Sequence, residues 1–140
     1  MVMTALQMRP APLAPPETRL GPLVAYLRSV LLDPRDDRER CHALFVDARR
    51  SCLGDAGIGR GGRGALCLRM REIFGEALRL DARGIILAHN HPSGECRPSG
   101  CDIAATHQLV AVARALDIEL IDHLIFTHEA VYSMRAGGLL

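Results

Sequence analysis

One stretch decides the fold of this chain, and it reads Gly84-Ile-Ile-Leu-Ala-His-Asn-His-Pro-Ser-Gly-Glu-Cys-Arg-Pro-Ser-Gly-Cys-Asp102. Its first residues, 84–88, form a short apolar run that is typical of a buried strand. A turn containing Pro92 and Gly94 follows, and Ser99 begins a helix that we expect to run to about residue 116. A buried strand that leads through a turn into a long helix indicates an α/β fold.

The polar residues of this stretch form a candidate metal site. His89 and His91 follow the strand directly, and residues i and i+2 of an extended chain point to the same side. Both lie at the carboxyl end of the strand, where α/β sheets place their ligand sites. Asp102, in the first turn of the next helix, is close enough to return a carboxylate. Two imidazoles and a carboxylate that leave a fourth position open indicate a catalytic zinc site rather than a structural one.

The same residues also have a purely structural interpretation. Two histidines beside a turn are often ordinary surface residues. Ser99-x-x-Asp102 matches a capping box, in which Ser99 is the N-cap and Asp102 complements the helix dipole. The two patterns together, separated by a Pro/Gly turn after a buried strand, favour the metal site.

The rest of the chain predicts a mixed sheet covered by helices. Leu23, Tyr26, Leu27, Val30 and Leu31 have helical spacing, and Pro34 helps to end that helix. Residues 41–46 have the composition of a strand, and residues 69–80 form an amphipathic helix. Residues 118–126 and 131–134 predict two strands, which we interpret as a hairpin around residues 127–130.

Two segments are predicted to be irregular. Residues 1–17 are rich in Pro and Ala and lack periodicity, so we interpret them as a flexible arm that precedes a single domain over residues 18–140. Residues 54–64 contain six glycines but no Lys-Ser/Thr of a phosphate-binding loop, and we predict a mobile loop there. In that loop, Arg60 and Arg63 form an alternative patch for an acidic partner.

Composition excludes several classes of protein. Seventeen Lys/Arg against sixteen Asp/Glu give a formal net charge of +1, which does not support binding to nucleic acid or to an anionic membrane. No run approaches the roughly 18 apolar residues of a membrane span, and the N-terminus lacks the layout of a signal peptide. Five cysteines without a CxxC pair indicate reduced thiols. We therefore expect a cytoplasmic protein.

The motif resembles that of a known family. His89-x-His91-Pro92, followed by Ser99 and Asp102, is similar to the JAMM motif of JAB/MPN-type metalloproteases. The wording His-Asn-His-Pro-Ser-Gly resembles the bacterial RadC branch, and the resemblance covers roughly residues 22–140. It extends to three other segments, which are Arg71-Glu-Ile-Phe74, Ala77-Leu78 and Leu120-Ile-Asp-His-Leu-Ile125.

The resemblance implies both a fold and a mechanism. It implies the three-layer α/β arrangement of JAB/MPN domains, similar to that of cytidine deaminases. It implies a general base eight residues before the Asp or Asn that ends the first strand, and Glu39 has that position relative to Asp47. Zinc and the Ser99 hydroxyl would stabilise the oxyanion of a protein or peptide amide, while Glu39 moves the protons. Glu39 could also be one more charge in a charged turn.

Two further functions stay open at this stage. A RadC-like chain could be a DNA-maintenance binding module without peptidase activity, although the balanced charge does not favour it. The same metal site could hydrolyse a phosphodiester, but Arg97 is the one cation in the motif, and amide hydrolysis fits better. Asp122-His123 resembles a fixed RadC element, for which we predict hydrogen bonding behind the metal ligands or in the core.

Overall fold

The computed structural model describes residues 5–6, 20–60 and 68–140, which form a six-stranded sheet and three helices. The strands and helices follow in the order β1 (Ala5–Leu6), α1 (Leu20–Leu31), β2 (Arg40–Val46), β3 (Cys52–Arg60), α2 (Met70–Arg79), β4 (Gly84–Asn90), α3 (Gly100–Ala115), β5 (Glu119–Phe126) and β6 (Val131–Ser133).

The sheet is mixed, and its centre is the pair that carries the motif. The strand order is β1-β6-β5-β4-β2-β3. β4 and β5 are parallel, because α3 crosses over between them, whereas the other neighbouring strands are antiparallel. The carboxyl end of β4 therefore lies between the carboxyl end of β5 and the amino end of β2. This edge of the sheet receives residues from three separate parts of the sequence.

The helices cover both faces of the sheet. Leu27 and Leu31 of α1 pack on one face against Val46, Ile86 and Phe126. On the other face, α2 and α3 cover a second cluster of buried side chains, which includes Ile73, Phe74, Leu109, Phe45, Ile85 and Leu87. β4 is buried along its whole length, as an apolar strand covered on both faces must be. The predicted three-layer α/β architecture is confirmed.

The prediction of a mobile glycine loop over residues 54–64 is wrong for residues 54–60. These residues belong to β3, which pairs with β2 over six register positions; residues 61–64 lie outside the described residues. Hydrogen bonding to a neighbouring strand outweighs the low strand propensity of glycine. At Gly54, a Cβ atom would lie 3.0 Å from Leu80 Cδ1, so glycine here permits a close approach of α2 to the strand.

Other predictions fall partly outside the described residues. Most of the arm over residues 1–17 is not described, but Ala5 and Leu6 pair with Tyr132 and Val131 of β6. Cys41 and Cys96 are buried free thiols, and burial raises the pKa of Cys41 to about 12. No helix in the described part of the chain is long and apolar enough to cross a membrane.

Gly84 opens β4 at a point where the two faces leave no room for a side chain. An added Cβ atom would lie 2.6 Å from Ile121 Cδ1 and 2.9 Å from Val46 Cγ2. We expect Gly84→Ala to lower the free energy of unfolding by about 1–3 kcal/mol through overpacking, as measured by urea denaturation. Gly75→Ala is the matched control, because nothing lies within 4 Å of its Cβ position. It should stabilise α2 by about 0.5–1 kcal/mol; equal destabilisation by both variants would contradict this packing.

Candidate metal centre

The structure brings His89, His91 and Asp102 together at the carboxyl end of β4. His89 Nε2 lies 2.9 Å from His91 Nε2 and 3.5 Å from Asp102 Oδ2, and the third distance, from His91 Nε2 to Asp102 Oδ2, is 3.1 Å. His89 is fully buried and Asp102 is nearly so. The three atoms form a group that could hold a metal ion.

The hydrogen bonds of His91 show what this group would attract. His91 Nδ1 lies 2.7 Å from the main-chain oxygen of Glu95. That oxygen can only accept, so Nδ1 carries the proton of the neutral ring and Nε2 presents its lone pair to the group. In this tautomer no proton of His91 lies between its Nε2 atom and the buried carboxylate of Asp102. Two such acceptors side by side are suited to binding a cation.

The charges of the site agree with this assignment. Burial opposes ionisation of Asp102, but the imidazoles of His89 and His91 beside its Oδ2 atom outweigh burial and hold the pKa of this carboxyl well below its usual range. Burial likewise opposes the charging of His91, yet the adjacent Asp102 carboxylate, the main-chain oxygen of Glu95 and the charge of Glu39 raise its pKa above the ordinary value. The site therefore favours positive charge.

The capping box is also present, so the structural interpretation of Ser99 and Asp102 holds alongside the metal site. Ser99 Oγ accepts from Asp102 N at 3.0 Å, and Asp102 Oδ2 accepts from Ser99 N at 2.8 Å. The cap fixes the rotamer of Asp102 and thereby aims its carboxylate at the histidines. The Ser99 hydroxyl only accepts in the described part of the chain, so its proton is free to be donated to another group.

Glu39 immediately precedes β2 and lines the same cavity as His91 and Ser99. This cavity has a volume of about 440 Å³. Glu39 Oε2 is buried and has no hydrogen-bond partner within residues 20–60 and 68–140. An unpaired buried carboxylate oxygen is costly, and such groups are typical of sites that bind a ligand or move a proton.

The other charged residues of the cavity are already paired. Arg97 contacts Glu95 at 3.2 Å, and this pairing lowers the pKa of Glu95. Among the described residues that line the cavity, Glu39 is thus the carboxylate with an oxygen atom that has no hydrogen-bond partner. His91 also borders a second cavity, of about 360 Å³, on the side of Pro34 and His128.

Asn90 was missed by the sequence analysis, although it lies between the two histidines. Its side-chain oxygen accepts from Arg40 N at 2.6 Å, and its amide nitrogen donates to the main-chain oxygen of Arg38 at 3.0 Å. These two residues flank Glu39, so the buried Asn90 side chain fixes the backbone that carries the candidate base. Its place between two candidate ligands was the one indication in the sequence.

His123 lies directly behind His89, and Asp122 points elsewhere. His123 Nε2 is 2.6 Å from His89 Nδ1, and His123 Nδ1 is 2.7 Å from Thr106 Oγ1. Asp122 instead accepts hydrogen bonds from Ser133 Oγ and Arg135 N, and so holds the turn that follows β6. Neighbouring residues of a strand point to opposite faces, which explains why the two side chains have different partners.

A larger cavity of the described chain lies elsewhere. It has a volume of about 890 Å³ and lies near the carboxyl end of α3, between Arg83, Arg114 and Leu140. It contains none of the predicted site residues. Chemistry, rather than volume, therefore identifies the candidate site.

Fold and site together define a JAB-type domain with a His-His-Asp group that could bind metal. The sequence model of the RadC-like JAB domain matches residues 20–139. This chain belongs to the RadC-like JAB family.

Curated relatives agree with this assignment. The UPF0758 protein BAV2405 of Bordetella avium (strain 197N) is 43% identical over 102 residues, which cover 73% of this chain and 45% of the relative. A UPF0758 protein of Chloroflexus aggregans is 38% identical over 114 residues, or 81% of this chain and 44% of the relative. The chain thus spans a little less than half the length of these relatives.

Proposed function

We propose that this protein is a zinc-dependent metallopeptidase or isopeptidase, which hydrolyses an amide bond of a protein or peptide substrate. One observation carries the proposal: three acceptor atoms converge at the end of β4, beside a cavity lined by Glu39, whose Oε2 atom has no hydrogen-bond partner among the described residues. The JAB superfamily includes metallohydrolases, which agrees with this function.

The donor set fits zinc. Two imidazole nitrogens and one carboxylate oxygen are ligands that zinc prefers in catalytic sites with an open fourth position. Ligands about 2.0–2.1 Å from a tetrahedral zinc ion stand about 3.3 Å apart, and the three distances here are 2.9, 3.1 and 3.5 Å. Zinc bound here would lower the pKa of a water molecule and polarise the scissile carbonyl.

Glu39 would act as the general base and then as the general acid. Its buried Oε2 atom has no hydrogen-bond partner among the described residues, so this atom is free to accept the proton of the attacking water. The same carboxyl group would then donate that proton to the leaving amine. Asn90 keeps Glu39 in place through the two backbone hydrogen bonds on either side of it.

Ser99 would donate a hydrogen bond to the oxygen of the reacting carbonyl. Its hydroxyl oxygen is fixed by Asp102 N, while its proton has no acceptor in the described part of the chain. A donor that is already held in position stabilises developing negative charge without reorganisation. The capping box and the catalytic role therefore use different parts of the same hydroxyl group.

The surroundings of the site favour an amide over a phosphodiester. A phosphodiester would need cations beside the metal to balance its charge, and the nearby Arg97 is paired with Glu95. The two cavities that border His91 leave room on both sides for an extended peptide. The substrate partner that we propose is therefore a protein or peptide.

Hydrolysis of a mixed library of peptides and isopeptides tests the proposal. We expect the zinc-loaded wild-type protein to cleave members of the library, and we expect His91→Ala to lose this activity because it lacks one of three ligands. His107→Ala is the matched control, because His107 is exposed and contacts the main-chain oxygen of Leu139, outside the site. A His91→Ala variant as active as wild type would overturn the proposal.

Ser99 offers a test that separates capping from catalysis. Ser99→Ala should lower the free energy of unfolding by about 1 kcal/mol, whereas Ser99→Gly should lower it by only a few tenths. Both variants lack the hydroxyl, so kcat should fall by about 10²–10³ in each. Stability from urea denaturation and kcat on a cleaved peptide would be compared. If kcat instead falls in Ser99→Ala but stays near the wild-type value in Ser99→Gly, as stability does, Ser99 acts only as a helix cap.

A further inference from the structure

The fully buried His123 takes no part in the proposed reaction, but it belongs to a chain of hydrogen bonds that links two of the candidate ligands. Thr106 Oγ1 lies 2.6 Å from the main-chain oxygen of Asp102 and 2.7 Å from His123 Nδ1. His123 Nε2 lies 2.6 Å from His89 Nδ1. The chain thus begins at the backbone of one candidate ligand, Asp102, and ends at the ring of another, His89.

The positions of the protons in this chain follow from its first member. The Asp102 carbonyl can only accept, so Thr106 must donate its single hydroxyl proton to it; otherwise two oxygen lone pairs would face each other at 2.6 Å. Thr106 Oγ1 must then accept from His123, which places the proton of His123 on Nδ1. The sulfur of Met134, at 3.7 Å from Thr106 Oγ1, is also an acceptor and does not alter this order.

The same logic continues to the metal ligand. His123 is fully buried, and among the described residues its ring nitrogens contact Thr106 and His89, neither of which carries a carboxylate. A buried ring without a counter-charge is neutral and carries one proton. With that proton on Nδ1, His123 Nε2 has a lone pair and can only accept. His89 must then donate from Nδ1, which leaves the lone pair of His89 Nε2 directed at His91 and Asp102.

We propose that Thr106 and His123 are positioning residues that hold His89 in the tautomer whose Nε2 lone pair faces His91 and Asp102. Without them, the proton of His89 could move to Nε2 and block the site. The contact between His89 and His123 joins residues 34 positions apart, and Thr106 follows Asp102 by one helical turn. This inference rests on the metal site of the proposed function, and it adds the residues that prepare the site before metal arrives.

The pair Thr106→Val and Thr106→Ser tests the inference directly. Val keeps the shape of Thr but removes the hydroxyl, whereas Ser keeps the hydroxyl. Partners behind metal ligands typically contribute about 10- to 100-fold to metal affinity, so we expect Thr106→Val to weaken zinc binding by about 10-fold or more. Thr106→Ser should bind zinc as wild type does. Affinity would be measured by competition with a chromophoric chelator.

A second readout is independent of zinc and of activity. Histidine ¹⁵N spectra of the zinc-free protein report which ring nitrogen carries the proton. We expect Nδ1–H for both His89 and His123 in the wild-type protein and in Thr106→Ser, and mixed tautomers in Thr106→Val. A purely structural role of Thr106 would not move these signals. Thr106→Val with unchanged tautomers and unchanged zinc affinity would overturn the inference.

His123 supplies a further pair if Thr106→Val does not fold. His123→Gln can place an acceptor near the position of Nε2, whereas His123→Asn is too short to reach His89. Zinc affinity should be higher in the Gln variant than in the Asn variant, and equal affinities would contradict the inference. If wild type binds no zinc, the proposed function fails, while the spectra of the zinc-free protein still decide whether the tautomers are held as inferred.

Discussion

Glu39→Gln should abolish amide hydrolysis and leave zinc bound. The substitution keeps the size of the side chain but removes the carboxylate that accepts and returns the proton, and general acid–base catalysis contributes about 10²- to 10⁴-fold. Because Glu39 Oε2 is buried without a partner in the described part of the chain, removing its charge should not lower the free energy of unfolding. Kinetics on a cleaved peptide, zinc content and urea denaturation would measure the three effects.

Glu95→Gln is the control within the same cavity. The carboxylate of Glu95 is paired with Arg97, and this pairing lowers its pKa, which makes Glu95 a weak base. We expect this variant to keep its kcat. If Glu95→Gln loses activity and Glu39→Gln keeps it, the base is Glu95 and not Glu39, which would contradict the mechanism.

Asp102→Asn and Asp102→Ala should both lose zinc, but they should differ in stability. A neutral amide is a poor ligand, and loss of a direct ligand should cost more than the 10- to 100-fold typical of residues behind the ligands; we expect more than about 100-fold. The Asn oxygen can still accept from Ser99 N, as Asp102 Oδ2 does at 2.8 Å. Only the Ala variant removes both the ligand and its half of the capping box.

Unfolding of the two variants without zinc separates these roles. In the presence of a chelator, bound metal no longer contributes to stability. Asp102→Ala should then be less stable than Asp102→Asn by about 0.5–1 kcal/mol, because it has lost the acceptor at the amino end of α3. Zinc affinity at the wild-type level in either variant would place the metal elsewhere.

Strong local patterns predicted most of the fold. The apolar run at residues 84–88 belongs to β4, and the helix predicted from Ser99 is α3, because burial and capping act over a few residues. The hairpin around residues 127–130 is formed by β5 and β6. β3 could not be predicted in the same way, since its glycines indicate a loop locally and its pairing with β2 is a long-range contact.

In the candidate site, too, the residues close together in the sequence could be predicted from local patterns, and those brought together by long-range contacts could not. His89, His91 and Asp102 lie within one stretch, so their spacing alone indicated that they meet. Glu39 was predicted only from the family resemblance, because its position near the site depends on the pairing of β2 with β4. The roles of Asn90, Thr106 and His123 depend on individual hydrogen bonds between distant elements, which periodicity and composition do not encode.

The zinc content of the purified wild-type protein tests the central claim most directly. The protein would be prepared without chelator and without added metal, and its zinc measured by mass spectrometry against protein concentration. The geometry of His89, His91 and Asp102 predicts about one zinc ion per chain. A protein that carries no zinc, and that binds none when zinc is titrated into it, would contradict the account.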